Sequence, residues 1–152
     1  MRGFRTLTLV AAGGSMALLA GAFAFQAMGY PPCHLCLWQR WPHAAALLIG
    51  VVVWLSGWRK LCWLGALSAG VTGCLGIYHT GVERGFWPGP TTCTAGNVAG
   101  LSTDDLLNQI LSAPLVRCDE VAWSLLGLSM ASWNAIFSLA LAAIWVAAAR
   151  RR

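Results

Sequence analysis

The chain has 152 residues, of which 58% are apolar and only 10% charged, against about 45–50% and about 25% in an ordinary soluble domain. That deficit of charge excludes a water-soluble globular protein and points to lipid. The net charge of +5 is no nucleic-acid surface, because the basic residues sit at the ends of apolar runs.

Charged residues leave uncharged stretches at 6–39, 41–58, 61–82 and 121–149, each able to supply the roughly 20 residues a helix needs to cross a bilayer. Apolar runs of this length without period-two alternation favour helices over a barrel, since backbone polar groups in lipid must be satisfied within the segment. The expected fold is an all-α membrane protein, a four-transmembrane-helix bundle forming one membrane domain over residues 1–152. The helices are placed at about 6–29, 41–58, 61–80 and 128–149, with a long outer loop at about 81–127.

Arg2 and Arg5 precede the first run, which contains Ala22-Phe23-Ala24 and ends at Met28-Gly29-Tyr30. These features also fit a cleaved signal peptide, but the run continues beyond the 7–15 apolar residues of a signal core and suits a retained helix. The second run holds Pro42 and His43 near its start; Pro42 suits a first helical turn and would kink a helix already under way, so that start is open. Arg59 and Lys60 join the second run to the third, which carries Cys62, Cys74 and, in its last turn, His79.

Glu83, Asp104, Asp105, Asp119 and Glu120, all the acids of the chain, fall between the third and fourth runs. There Trp87-Pro88-Gly89-Pro90 sets a turn before Cys93. Ser102, Thr103, Asp104 and Asp105 offer N-cap chemistry to a short helix whose Leu106, Leu107, Ile110 and Leu111 form an apolar stripe suited to lying on the bilayer. Trp123 and Trp133 suit interface anchors. Arg150, Arg151 and Arg152 follow the fourth run, so seven of the ten basic residues mark the two ends and the turn at Arg59-Lys60. By the positive-inside rule both termini and that turn are cytoplasmic.

Four cysteines, Cys33, Cys36, Cys93 and Cys118, then share the outer face, while Cys62 and Cys74 read as small buried hydrophobes. An oxidising envelope favours disulfides there. A bridge across the two residues of Cys33-His34-Leu35-Cys36 closes too small a loop to stabilise much, and a thiol beside a helix N-terminus gains thiolate character. The 24 residues between Cys93 and Cys118 suit a structural staple taken alone. Beside the first pair, they suit a relay by thiol-disulfide exchange.

Arg40, four residues after Cys36, is either an interfacial snorkelling cation or a guanidinium that stabilises a Cys36 thiolate and holds an acceptor's carbonyl oxygen. His79, at the same membrane level, is either a helix-end cap or a partner for a second carbonyl and a proton. A lipid-soluble acceptor of two electrons and two protons is a quinone.

At these residues the sequence resembles the disulfide bond formation protein B (DsbB) family. The likeness rests on Cys33-His34-Leu35-Cys36 with Gln39-Arg40, and on His79 fourteen residues before Cys93 with Trp-Pro-Gly-Pro between. It continues in Cys118-Asp119-Glu120 followed by Trp123, Gly127-Leu128, Met130 and Trp133. The resemblance implies a bacterial inner-membrane protein-disulfide oxidoreductase that reoxidises a periplasmic thioredoxin-fold oxidase, DsbA, and passes electrons to ubiquinone or menaquinone. It implies that Cys93 forms the mixed disulfide with the partner, Cys118 exchanges with Cys33, Cys36 faces the quinone, and Arg40 holds it with His79 nearby. Some members carry an acid where this chain has Gln39, so no catalytic role is assigned to it. Locally, Arg117 favours a Cys118 thiolate while Asp119 and Glu120 oppose it, so the residues themselves leave the attacked sulfur open.

Three other readings compete. A copper- or zinc-binding membrane protein would use Cys33, His34 and Cys36 as soft ligands. A vitamin K epoxide reductase-like enzyme shares four helices and two cysteine pairs, but there the loop pair precedes the Cys-x-x-Cys. A purely structural protein stapled by two bridges would reduce no quinone.

Overall fold

The structure is a computed structural model and describes residues 2–94, 102–112 and 116–151. Arg152 and the side chains of Arg2, Asp105, Leu106 and Ile110 lie outside the described residues.

Four long helices, α1 (Arg2–Ala27), α2 (His34–Ser56), α3 (Cys62–Glu83) and α5 (Met130–Arg150), carry the fold. A 3-10 turn at Arg59–Leu61 joins α2 to α3, and a short helix, α4 (Thr103–Ser112), lies in the α3–α5 connection. The long helices form a closed ring in which α3 packs most extensively on α5, α2 on α3, and α1 on both α2 and α5. Three segments are long and apolar enough to cross a membrane: Gly3–Ala27, Arg59–Glu83 and Met130–Arg150. The chain is a helical membrane protein. α2 matches the others in length, but His34, Gln39, Arg40, Pro42 and His43 make its first half polar.

That first half departs from the sequence expectation. α2 begins at His34 rather than near residue 41, and Pro42 lies in its interior. A proline there removes a backbone hydrogen bond, and hydroxyls of α3 support the carbonyls around it. Ser68 Oγ donates to the Pro42 carbonyl at 2.7 Å and Thr72 Oγ1 to the Gln39 carbonyl at 3.0 Å. Because α2 starts early, Cys33 is its N-cap: the sulfur accepts the Cys36 N–H at 3.2 Å.

α5 starts at Met130, directly after a short hairpin. Residues 124–129 form a two-stranded hairpin, Ser124 opposite Ser129 and Leu125 opposite Leu128. Its tip, Leu126 and Gly127, has positive φ at both positions, as the tightest hairpin turn requires. Ser129 then caps α5 by accepting the Ser132 N–H.

Small residues let the helices approach closely. A Cβ on Gly65 would fall 2.5 Å from the Trp145 ring, so glycine here seats the buried tryptophan of α5 against α3. Around it Phe4, Ala11, Val53, Cys62 and Ala148 form the core at one end of the bundle. Cys62 is fully buried, as the sequence suggests, but Cys74 is exposed. It shares the outward face of α3 with Leu67 and Val71, a surface apolar enough to need no inner burial. Leu107 and Leu111 of α4 are exposed too.

Candidate functional site

The second core cluster lies at the other end of the bundle and gathers Cys33, Leu35, Val82, Cys93 and Cys118, with Cys36 and Tyr78 against it. Aromatic packing brings the distant cysteines here. Gly81 leaves room for the Trp87 ring, whose Nε1 donates to the Tyr78 carbonyl at 2.8 Å. Tyr78 in return donates its hydroxyl to the Pro88 carbonyl at 3.1 Å. The chain is thus folded back over the end of α3, and Cys93 is seated on Val82.

Cys93 and Cys118 are joined as a disulfide, with Cα atoms 5.3 Å apart. Cys33 and Cys36 carry free thiols with sulfurs 2.8 Å apart, inside van der Waals contact and outside the bonded distance of about 2.05 Å. Cys33 is 5% exposed, whereas Cys36 is only half-buried. The hydrogen bond that Cys33 donates to Cys36, and after it burial, pushes the Cys33 thiol up from its ordinary value.

His79 touches several of these groups at once. Its Nε2 is 3.5 Å from Cys33 Sγ and 3.8 Å from Glu83 Oε1, and its ring lies beside the Cys118 backbone. Its Nδ1 is 2.9 Å from Gln39 Nε2. Gln39 leads further into the bundle, accepting from Asn134 Nδ2 at 2.7 Å, and Asn134 Oδ1 meets His43 Nε2 at 2.9 Å. Glu83 accepts a hydrogen bond from Ser129, the cap of α5.

Arg40 is anchored on α1, near enough to Cys36 for its charge to act on that sulfur. Its terminal nitrogens donate to Gln26 Oε1 at 2.7 Å and to the Ala22 carbonyl at 3.2 Å, and the guanidinium lies 4.8 Å over the Phe23 ring. Only Nε is left, buried and without a partner. Arg40 belongs to the wall of a cavity of about 440 Å³ that also takes in Cys33, Cys36, His43, His79 and Asn134. The remaining wall is largely apolar, with Leu18, Phe25 and Trp133 among it. Outside the cluster, Arg117 is tied to Asp119 at 2.7 Å and Glu120 at 3.1 Å, so its charge is compensated before it can favour one sulfur of the disulfide.

Cys33 Sγ, Cys36 Sγ and a His79 ring nitrogen all lie within 4.8 Å of one another, a set that also suits a soft metal. Two thiolates on one tetrahedral zinc stand roughly 3.8 Å apart, given Zn–S bonds of about 2.3 Å. The 2.8 Å separation is nearer to a disulfide than to a shared ion. His34, the other ligand of the metal reading, instead packs against Trp38, with the rings tilted at 55°.

Four polar residues of this network, Gln26, His43, Glu83 and Asn134, carry no role in the sequence reading, and neither does Gln39. The available signal is that each is a polar residue within or at the end of an apolar run, where such residues mark functional or network positions.

A model of the family described as "Disulfide bond formation protein DsbB" matches residues 4–148. Disulfide bond formation protein B 2 of Pseudomonas aeruginosa is 31% identical over 93% of this chain and 89% of its own length. Disulfide bond formation protein B of Marinobacter nauticus is 32% identical over 88% and 82%, and that of Verminephrobacter eiseniae 29% over 97% and 90%. No solved structure matches the chain. The chain belongs to the DsbB family and is a membrane oxidoreductase of disulfide bond formation.

Proposed function

We propose that this member of the DsbB family reoxidises a periplasmic DsbA-like thioredoxin-fold oxidase through its two cysteine pairs and passes the electrons to ubiquinone or menaquinone. The observation that carries the reading is the position of Cys33. It belongs both to the buried cluster holding Cys93 and Cys118 and to the wall of the cavity, so electrons arriving at the first reach the second without crossing solvent.

The electrons balance at each exchange. The partner's dithiol loses two electrons and two protons and becomes a disulfide, while Cys93–Cys118 becomes a dithiol, Cys93 forming the transient mixed disulfide. Cys118 then attacks Cys33 of an oxidised Cys33–Cys36 pair and releases Cys36 as a thiol, after which Cys93 attacks Cys118 of that Cys118–Cys33 disulfide, restoring Cys93–Cys118 and releasing Cys33 as a thiol. Cys33 retains its proton while Cys36, the more exposed sulfur, faces the cavity. His79 lies 3.5 Å from Cys33, within reach to manage that proton.

The cavity suits a quinone by its own chemistry: largely apolar walls and two buried polar atoms without partners, Arg40 Nε and His43 Nδ1. Arg40 and His79 would hold the head group, and a quinone there supplies the acceptor for two electrons and two protons. The distribution of Arg5, Arg59, Lys60, Arg150 and Arg151 at the opposite end supports a four-span inner-membrane topology, with both termini cytoplasmic and the cysteine cluster periplasmic.

The test mixes purified protein, a reduced thioredoxin-fold oxidase and a soluble quinone, and follows quinone absorbance. Turnover should vanish in Cys33→Ser, Cys36→Ser, Cys93→Ser and Cys118→Ser. Quinone reduction that survives Cys36→Ser would overturn the reading.

A further inference from the structure

The hydrogen-bond chain beneath the cysteines has a fixed direction. The Leu35 carbonyl can only accept, so the Gln39 amide nitrogen donates to it at 3.1 Å and also faces His79 Nδ1 at 2.9 Å. Gln39 Oε1 therefore accepts from Asn134 Nδ2 at 2.7 Å, which leaves Asn134 Oδ1 to accept from Ser138 at 3.3 Å and from His43 Nε2 at 2.9 Å. A neutral imidazole carries one proton. With it on Nε2, His43 Nδ1 is a bare lone pair.

That atom is buried and has no hydrogen-bond partner, in a side chain that is 3% exposed and lines the cavity. One turn earlier on the same face of α2, Arg40 Nε is a donor, also buried, also unpartnered, and of the same cavity wall. Each unmatched buried polar group costs about 1–3 kcal/mol, so natural proteins keep few of them and those kept need a reason. Here one donor and one acceptor stand unmatched around one cavity, and a ligand that matches both is the reason they persist.

We propose that His43 Nδ1 accepts a hydrogen bond from a hydroxyl of the reduced, quinol form, so that the cavity holds quinol more tightly than quinone. The inference rests on the quinone reading of the cavity. Arg40 Nε–H donates equally well to a carbonyl or a hydroxyl oxygen, since both accept. A nitrogen lone pair has nothing to bond on a carbonyl oxygen but bonds an O–H. His43 thus distinguishes the two oxidation states while exchanging no electron itself. Asn134 is a positioning residue that keeps the His43 proton on Nε2. A tenfold preference for the reduced form raises the potential of the bound two-electron couple by about 30 mV, which draws electrons out of the Cys33–Cys36 dithiol.

The test is equilibrium binding in a Cys33→Ser/Cys36→Ser background, where the pair exchanges no electrons. A short-chain ubiquinone and, under anaerobic conditions, its quinol are titrated separately against intrinsic fluorescence, Trp123 and Trp133 lying in the cavity wall. His43→Gln keeps a group for Asn134 at the Nε2 position and removes the lone pair at Nδ1. It should weaken quinol binding about tenfold and leave quinone binding unchanged. His43→Asn, with an amide oxygen near the Nδ1 position, should retain more of the preference for quinol. Equal effects of His43→Gln on the two forms, or none, would overturn the inference and leave the quinone reading intact. Failure of the parent protein to bind either form saturably would overturn both. Nitrogen-15 NMR of the parent protein gives a check that no substitution can confound: a proton found on His43 Nδ1 would also defeat the assignment.

Discussion

Gln39 Nε2 stands 2.9 Å from His79 Nδ1, and this contact decides which nitrogen of the histidine faces the sulfur. Because the amide donates, Nδ1 accepts, and the proton of the neutral ring lies on Nε2, the atom 3.5 Å from Cys33 Sγ. In Gln39→Glu the carboxylate would draw that proton to Nδ1 and turn a bare nitrogen toward Cys33. Turnover is expected to fall in this variant, with a loss of about 1–3 kcal/mol of fold stability because the carboxylate cannot donate to the Leu35 carbonyl. Gln39→Leu should lower thermal stability further, because His79, Asn134 and the Leu35 carbonyl all lose their partner, at about 1–3 kcal/mol for each buried group left unsatisfied. Thermal unfolding read beside quinone absorbance separates the two outcomes.

Arg40→Ala should chiefly weaken quinone affinity. A rise of at least tenfold in the Michaelis constant for quinone, about 1.4 kcal/mol, is expected with a smaller change in kcat. An unchanged constant would remove Arg40 from the cavity's binding role.

The thiol of Cys33 is held above the ordinary 9.0 by its hydrogen bond to Cys36 and by burial. In the reduced protein its alkylation rate should therefore still be climbing at about pH 11, where an ordinary thiol is fully ionised and its rate has levelled off. Cys36→Ala removes the larger of the two causes, so the Cys33 pKa should drop and its alkylation at pH 8 should accelerate. Mass spectrometry of peptides after timed alkylation reads both rates.

Cys62 is buried at the far end of the bundle and Cys74 faces outward. Cys62→Ser and Cys74→Ser should keep full turnover. Of the two, Cys62→Ser should lose some stability, since a buried hydroxyl replaces a sulfur packed among apolar side chains. Loss of turnover in Cys74→Ser would require a path to the cysteine cluster that runs along the outside of α3.

Helical character and the apolar runs are legible in the sequence because charge interrupts them so cleanly. The start of α2 is not. Pro42 reads as a helix opener, and only the α3 hydroxyls Ser68 and Thr72, distant in sequence, show how it is tolerated inside one. The cysteines stand out by spacing, whereas Gln39, His43 and Asn134 meet only when α2, α3 and α5 take up particular rotations. Helices that are apolar on every face carry no stripe from which those rotations can be read. For the same reason Cys62 and Cys74 look alike in sequence although one is enclosed and the other is not.

Arg40, a residue of the cavity wall, fastens to α1 by two nitrogens and leaves the third buried without a partner. The first helix, which supplies no cysteine, therefore sets the reach of this cavity-wall guanidinium, and anything that wedges the α1–α2 seam should change turnover without touching sulfur. Solubilising agents that intrude between these helices should slow the protein while every thiol still titrates normally, and a matched bilayer should restore the rate.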